Sequence, residues 1–171
     1  MGLTTTEPAA LADEGVPASF EQFYRAYLDR VYRALAITLG SDDLAREATD
    51  EAMARAYARW RRVADLDNPG GWVYRVGLNW ATSRWRKLRR EFRSPPSDGD
   101  RLTAAPDPAA IAARTALERL PVAQRAVVVC RVLLDLSTIE TASVLGIAEG
   151  TVKSRLSRAL DGLRAELTEE E

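Results

Sequence analysis

Residues 137–164 read STIETASVLGIAEGTVKSRLSRALDGLR, and this stretch decides the fold of the C-terminal part of the chain. Ser137 followed three residues later by Glu140 is typical of a capping box at a helix N-terminus. Gly146 supplies the left-handed backbone that ends the helix, and a second helix begins near Glu149. The spacing of the apolar residues predicts a helix-turn-helix. The residues predicted to face inward are Ile139, Ala142, Val144, Leu145, Val152, Leu156, Ala159, Leu160, Leu163 and Leu167.

The opposite side of the second helix carries small, hydroxyl-bearing and basic residues, which are Gly150, Thr151, Lys153, Ser154, Arg155, Ser157 and Arg158. Small residues allow a helix to approach DNA closely, and arginine and lysine reach phosphates and guanine edges in the major groove. The alternative is an ordinary amphipathic hairpin with a solvated polar face. The glycine in the turn, the helix lengths and the basic face together favour DNA binding.

Composition limits the classes of protein that the chain can represent. Its 171 residues carry a net charge of −1, and 46% of them are hydrophobic, which suits small packed domains. Histidine is absent and there is a single cysteine, so histidine-based metal sites and catalytic devices are excluded. We therefore expect no enzyme, no metal and no cofactor. The N-terminus lacks a signal-peptide pattern, which predicts a cytoplasmic location.

Changes in composition along the chain predict an all-α protein with two small helical domains. Residues 1–17 are acidic and without periodicity, and we expect a disordered tail. Residues 18–93 form the first domain, a three-helix bundle. Residues 94–107 contain three prolines and predict a flexible linker. Residues 108–167 form a second, four-helix domain, and residues 168–171 an acidic tail.

Local signals place the helices of the first domain. Ser19 and Ser41 are predicted N-caps, Gly40 a C-cap, and the pair Asn68-Pro69 the start of a third helix. The first helix has an apolar stripe at Phe20, Phe23, Tyr24, Tyr27, Val31, Leu35 and Leu39. The second has a seam of Leu44, Ala48, Ala52, Ala56 and Trp60. In the second domain, the residues predicted to face inward include Ile111, Thr115, Leu117, Leu120, Val122, Val127, Val128, Cys130, Val132, Leu133 and Leu134.

The end of the third helix is basic and aromatic. Residues 84–93, RWRKLRREFR, hold six bases, one acid and two aromatic residues. Residues 18–93 as a whole hold fifteen bases and ten acids, so the near-neutral total conceals a basic segment. A solvated helix terminus is the alternative, but phosphate attraction and stacking on unpaired bases explain the composition better.

These features together resemble an extracytoplasmic-function (ECF) sigma factor of bacterial RNA polymerase. Residues 117–125, LERLPVAQR, are similar to the family's ALxxLPxxxR segment, and residues 144–159, VLGIAEGTVKSRLSRA, to its VLGIxEGTVKSRLxRA motif. In the first domain, residues 68–79, NPGGWVYRVGLN, look like its NPxxWLYRVAxN segment. The likeness covers about residues 18–165.

The resemblance implies a role for each half. The first domain, sigma region 2, would melt the −10 element through Asn68, Trp72, Arg75, Asn79, Trp80, Arg84, Arg86 and Lys87. The second domain, sigma region 4, would read the −35 element through Thr151, Lys153, Ser154, Arg155 and Arg158. Core RNA polymerase would bind through Glu47, Asp50, Glu51 and Arg55. The expected partners are core RNA polymerase, promoter DNA and an anti-sigma factor.

The sequence departs from the family pattern at five positions. Glu47, Asp50 and Met53 replace residues of the DxxQEAF pattern. Ser83 replaces a frequent aspartate, and Thr141 replaces a frequent isoleucine. The alternative function is a sigma-like or LuxR-type helix-turn-helix regulator that binds duplex DNA without initiating transcription. The basic and aromatic third helix argues against that alternative, because a duplex-only binder needs no stacking residues.

Overall fold

The computed structural model describes residues 19–91 and 108–168, with side chains for 19–87 and 108–166. We call these two parts the N-terminal half and the C-terminal half. Every regular element in both is a helix, which confirms the all-α prediction. The predicted N-terminal tail, the linker and the acidic end of the chain fall largely or wholly outside the described residues.

The N-terminal half consists of three long helices and one short one: α1 (Phe20–Leu39), α2 (Asp42–Ala58), α3 (Trp60–Val63) and α4 (Pro69–Glu91). Ser19 and Ser41 cap α1 and α2 as predicted, since their hydroxyls accept from the backbone amides of Gln22 and Leu44. Gly40 ends α1 with a φ of 66°. The α2 helix is shorter than predicted: it ends before Arg59, and Trp60 begins α3 instead of closing the α2 seam.

The C-terminal half contains α5 (Pro108–Arg119), α6 (Val122–Val128), α7 (Thr138–Leu145) and α8 (Glu149–Thr168). A π-helical turn, Val129–Leu133, extends α6. Ser137 and Glu140 form the predicted capping box at the start of α7, and Gly146 ends this helix with a φ of 65°. The helix-turn-helix is therefore α7 and α8.

Several apolar residues predicted to face inward are exposed. The largest exposures are those of Ile139 and Val132, at 66% and 70%, and the others are Tyr24, Ile111, Val122 and Leu160. Periodicity identifies the apolar side of a helix but not its limits, and short helices are covered on only part of that side. Ile139 lies at the mouth of a cleft between the two halves.

The two halves pack against each other through apolar side chains. Val129, Cys130, Leu134, Leu136 and Val144 of the C-terminal half belong to the same buried cluster as the core of α1, α2 and α4. Two further clusters form the core of the helix-turn-helix, one containing Val127 and Val152 and the other containing Ala159. The sequence did not predict this contact between halves.

Candidate nucleic-acid interface

The polar side of α8 is available to a ligand. Lys153, Ser154 and Arg158 are exposed, whereas Thr151 and Arg155 are half-buried. The Ser154 hydroxyl donates to the carbonyl of Thr151 at 3.2 Å, which holds this side chain close to the helix. On the opposite side, Val152 and Ala159 are fully buried. The apolar anchor orients α8 so that Lys153, Ser154 and Arg158 face outward.

The N-terminus of α4 is fixed by the side chain that the sequence identified. The Oδ1 atom of Asn68 accepts from the backbone amide of Gly71 at 2.7 Å. Behind this cap, Val73 and Tyr74 are fully buried against the bundle. The cap and the buried side chains fix the direction of α4, and therefore the positions of its exposed polar residues.

The exposed side of α4 brings several predicted melting residues into one row. Arg75 and Asn79 are one turn apart and both are exposed, while Trp72 is half-buried at the start of the row. Arg86 follows seven residues after Asn79, so it lies on the same side of the helix. These residues form a continuous polar path along α4 with an aromatic ring at one end.

Trp80 and Arg84 are also predicted melting residues, but their surroundings differ from those of the exposed row. Trp80 is half-buried, and the Cζ atom of Arg84 lies 5.4 Å from the centre of its ring. Arg84 Nη2 also lies 3.3 Å from Glu47 Oε2 on α2. The predicted melting surface and the predicted polymerase-binding surface therefore meet at this ion pair. The Arg84 guanidinium thus contacts the Trp80 ring and the Glu47 carboxylate and remains partly exposed to solvent.

The outer side of α2 carries the residues predicted to bind core polymerase. Glu47, Asp50 and Arg55 are exposed and Glu51 is half-buried. Arg55 Nε pairs with Glu51 Oε1 at 2.8 Å across one helical turn. Ala48, Ala52 and Ala56 on the opposite side are fully buried, so these charged residues point away from the bundle.

Three arginines near this surface are not among the predicted site residues. Arg59, Arg61 and Arg62 are exposed, and within the described part of the chain none of them forms an ion pair. Arg59 and Arg62 line a cavity of about 310 Å³ together with Trp72. The run RWRR at residues 59–62 was a visible signal, since it has the same basic and aromatic character as residues 84–93.

Trp72 also borders a second cavity of about 440 Å³, which lies between the halves. Arg75 points into the same region, where its Nη1 atom donates to the carbonyl of Ser143 on α7 at 3.4 Å. Ile139 and Glu140 line the opposite wall. The aromatic end of the α4 row therefore faces α7.

Two buried ionisable side chains have raised pKa values. Burial raises the pKa of the Cys130 thiol to about 12, which makes it a poor nucleophile. Burial also raises the pKa of Tyr74 well above its usual value. Among these residues no group of acidic, cysteine or histidine side chains could hold a metal ion, and no helix is long and apolar enough to cross a membrane.

Comparison with known proteins identifies the class. The family described as Sigma-70, region 4 matches residues 110–161, which include the helix-turn-helix. The RNA polymerase sigma-E factor of Streptomyces coelicolor is 34% identical over 157 residues, covering 90% of this chain and 88% of that protein. The ECF RNA polymerase sigma factor SigM of Mycobacterium tuberculosis is 34% identical over 148 residues, covering 82% and 73% respectively.

A solved structure has the same fold. The sigma factor RpoE of Bartonella quintana, crystallised with the anti-sigma factor NepR, superposes with a TM-score of 0.77. The superposition covers 87% of this chain and 96% of that one, at 23% identity.

The chain belongs to the ECF sigma factor family of bacterial RNA polymerase. It functions as a sigma factor, which directs core RNA polymerase to promoters. Because the relatives match across both halves, a stand-alone helix-turn-helix regulator is not favoured.

Proposed function

We propose that the two halves divide promoter recognition as follows: α8 reads the −35 element in duplex DNA, and the exposed row of α4 binds the separated strand of the −10 element. The observation that supports this division is the difference between the two surfaces. The α8 surface offers hydroxyl and basic side chains without an aromatic ring, which suits a duplex groove. The α4 row begins at Trp72, a partner for unstacked bases.

Strand separation has a cost that the α4 surface must offset. Unstacking costs about 1–2 kcal/mol per base-pair step, and stacking on an aromatic side chain returns about 1–3 kcal/mol per base. Phosphate contacts from Arg75 and Arg86 add an electrostatic contribution. The Trp72 ring and the basic side chains therefore supply the two kinds of contact, stacking and phosphate binding, that capture of a few unpaired bases requires.

The outer side of α2 is the proposed contact with core polymerase. Asp50, Glu51 and Arg55 lie on the opposite side of α2 from its buried alanines, so they remain accessible while α4 holds DNA. We also propose that an anti-sigma factor regulates this chain, because the structurally similar sigma factor RpoE of Bartonella quintana was crystallised with one. A cytoplasmic location and the absence of enzymatic activity are part of the same proposal.

In vitro transcription with bacterial core polymerase tests the proposal. A genomic fragment library is transcribed and the RNA starts are sequenced, and we expect discrete starts that share two upstream elements. Arg155→Ala combined with Arg158→Ala should abolish these starts. Arg164→Ala is the matched control, because Arg164 is exposed on the same helix and pairs with Asp161 instead of facing the predicted groove.

A pre-melted template separates the two roles. Trp72→Ala and Asn79→Ala should lose transcription from duplex promoters and regain part of it when the −10 bases are mismatched, because opening is then no longer required. The α8 variants should not be rescued. If the mismatched template rescues the α8 variants and not the α4 variants, the proposed division of roles is wrong.

A further inference from the structure

A cluster of basic and aromatic side chains lies where α2 ends and α3 begins. We call it the basic patch, and the residues that line its cavity of about 460 Å³ include Tyr57, Arg59, Trp60, Arg61 and Arg62. The Tyr57 side chain is 69% exposed, and the three arginines are exposed as well. Cations clustered beside aromatic rings suit an anionic ligand that also carries apolar groups.

The positive charge of the basic patch has no counter-charge among the described residues. None of its arginines forms an ion pair there, and no acidic residue of the described chain lines its cavity. Arg55, one turn earlier on α2, differs in this respect, because its guanidinium pairs with Glu51 at 2.8 Å. The basic patch is therefore an unneutralised anion-binding surface.

The N-terminus of α1 lies directly beside the basic patch. The Phe20 ring is 5.1 Å from the Tyr57 ring and 5.6 Å from the Trp60 ring, measured between centroids, and it meets both of them edge to face. Ser19 precedes Phe20 and caps the helix through the backbone amide of Gln22. Residues 1–18 therefore join the described part of the chain next to the three arginines.

Residues 1–18 have the composition that such a surface binds. They include no basic side chain and three acidic ones, which are Glu7, Asp13 and Glu14. Five extended residues span up to about 17 Å, so the chain from Ser19 back to Glu14 is long enough to bring this carboxylate to the arginines on either side of Trp60. Attachment to α1 also keeps these acids at a high effective concentration near the patch.

We propose that residues 1–18 dock on the basic patch through their carboxylates and compete there with the phosphates of a single strand. The docking follows from charge and position, whereas the competition rests on the proposed function, because Arg59 and Arg62 also line the cavity that Trp72 borders. Contacts with phosphates do not read bases. The segment therefore lowers the affinity for single strands of any sequence by a similar factor.

Binding of a non-promoter strand tests the competition. Fluorescence anisotropy measures the affinity of the full chain for a short, labelled oligothymidylate at low salt. Glu7→Gln, Asp13→Asn and Glu14→Gln combined should raise this affinity at least fivefold. The matched control neutralises three acids at the other end of the chain, Glu169→Gln, Glu170→Gln and Glu171→Gln, which changes the net charge equally and should raise the affinity less than twofold. Equal gains in the two triple variants would overturn the proposal, because total charge would then explain both.

The same measurement in an Arg61→Ala and Arg62→Ala background locates the competition. Without these arginines the segment has lost its binding surface, so neutralising Glu7, Asp13 and Glu14 should no longer raise the affinity. A gain that persists undiminished in this background would contradict docking on the basic patch. Failure of every variant, and of the wild type, to bind oligothymidylate would count against the proposed function, and the docking is then decided by a measurement without DNA.

Disulfide formation provides that measurement. Ala12→Cys with Ala58→Cys, in a Cys130→Ala background, places one thiol in the acidic segment and one in the cavity of the basic patch. Ala12→Cys with Ala26→Cys is the control, since Ala26 is exposed on α1 and lies about 10 Å from Ser19 along the helix. We expect the first pair to oxidise at least fivefold faster at low salt, and the advantage to shrink as salt screens the attraction. Equal rates for the two pairs at low salt would overturn the docking, whatever the DNA measurements show.

Discussion

Arg125 Nη1 donates to the main-chain carbonyl of Thr38, 3.0 Å away, across the boundary between the two halves. The Thr38 hydroxyl donates to Ala34 and lies 2.8 Å from the Tyr74 hydroxyl, which must therefore donate to it. Burial lowers the pKa of Arg125, although the nearby Glu118 opposes this effect. Arg125 Nη2 also donates to the main-chain carbonyls of Glu118 and Leu120, at 2.8 and 2.9 Å. A buried cation, a buried hydroxyl pair and the carbonyls that accept from them thus form one connected network.

Arg125→Lys should lower the free energy of unfolding by about 2 kcal/mol. Lysine is a point donor and cannot reach the separate carbonyls that the planar guanidinium spans. Urea denaturation measures the change. Arg33→Lys is the control, because Arg33 forms an exposed pair with Asp29 and should change stability by less than about 0.5 kcal/mol. Equal losses in the two variants would show that the network contributes nothing specific.

Gly77→Ala should destabilise the N-terminal half by about 1–2 kcal/mol. The added Cβ would lie 2.7 Å from Leu35 Cδ1 and 3.2 Å from the carbonyl of Ala48. Overpacking of this kind costs about 1–3 kcal/mol, which exceeds the gain of up to about 1 kcal/mol from replacing glycine in a helix. Gly150→Ala has open space around it and should be neutral or stabilising in the same thermal or urea experiment. A stabilising Gly77→Ala would contradict the close approach of α4 to α1 and α2.

Thr141→Val should raise the free energy of unfolding by about 1 kcal/mol. Thr141 is fully buried in α7 and its hydroxyl has no hydrogen-bond partner, so valine removes an uncompensated polar group at nearly constant volume. Thr49→Val is the matched control, because the buried Thr49 hydroxyl donates to the carbonyl of Ala45 at 2.7 Å. We expect the control to be neutral or destabilising. A destabilising Thr141→Val would show that the hydroxyl is satisfied in solution.

The capping box formed by Ser137 and Glu140 contributes to the free energy of unfolding in a pH-dependent way. Hydrogen bonds from the side chain and backbone of Ser137 lower the pKa of the Glu140 carboxyl, while burial opposes them and Arg131 assists. Because the pKa is lower in the folded state, the contribution is fully present above the ordinary glutamate pKa of about 4.3 and is lost as the pH falls through the folded value.

Glu140→Gln tests this sign, since glutamine can still accept from the Ser137 amide. The variant should be less stable than the wild type at neutral pH, and the difference should shrink below pH 4. A gap in urea stability that does not change with pH would contradict the ionised capping box. Ser137→Ala should cost about 1 kcal/mol at neutral pH.

Local signals were sufficient for most helix boundaries and insufficient for tertiary contacts. Ser19, Ser41, Asn68, Ser137 and the two left-handed glycines act through neighbours three or four residues away, so the sequence displays them directly. The packing of Cys130 near Tyr74 and the exposure of Ile139 depend on how the C-terminal half sits on α4. No periodicity within one helix encodes that placement.

The predicted binding residues divide in the same way. Lys153 and Arg158 are exposed as expected, because α8 is amphipathic along its described length. The environment of Trp80 was not predictable from the sequence. Arg84, which lies on the same helix, contacts the Trp80 ring and also pairs with Glu47 on the neighbouring helix α2. Arg61 and Arg62 are not among the predicted site residues, because the sequence predicts a second helix that continues to Trp60 and not the break that the structure shows after Ala58.

Arg61→Ala combined with Arg62→Ala should weaken binding to single-stranded promoter DNA to a similar extent for all sequences. Both arginines are exposed, and neither has a carboxylate partner among the described residues; Arg62 lies beside Trp72, and Arg61 lies in the adjoining pocket with Tyr57 and Trp60. These positions suit contacts with phosphates, which position a strand without reading its bases. The slope of log affinity against log salt should fall by about 0.7 for each lost phosphate contact on a single strand. Titration of a labelled −10 strand at several salt concentrations measures it. Arg33→Ala, which removes an exposed arginine from α1, is the control and should leave the slope unchanged. An unchanged slope in the double variant would mean that the strand does not cross this surface, and would confine the single-strand contact to α4.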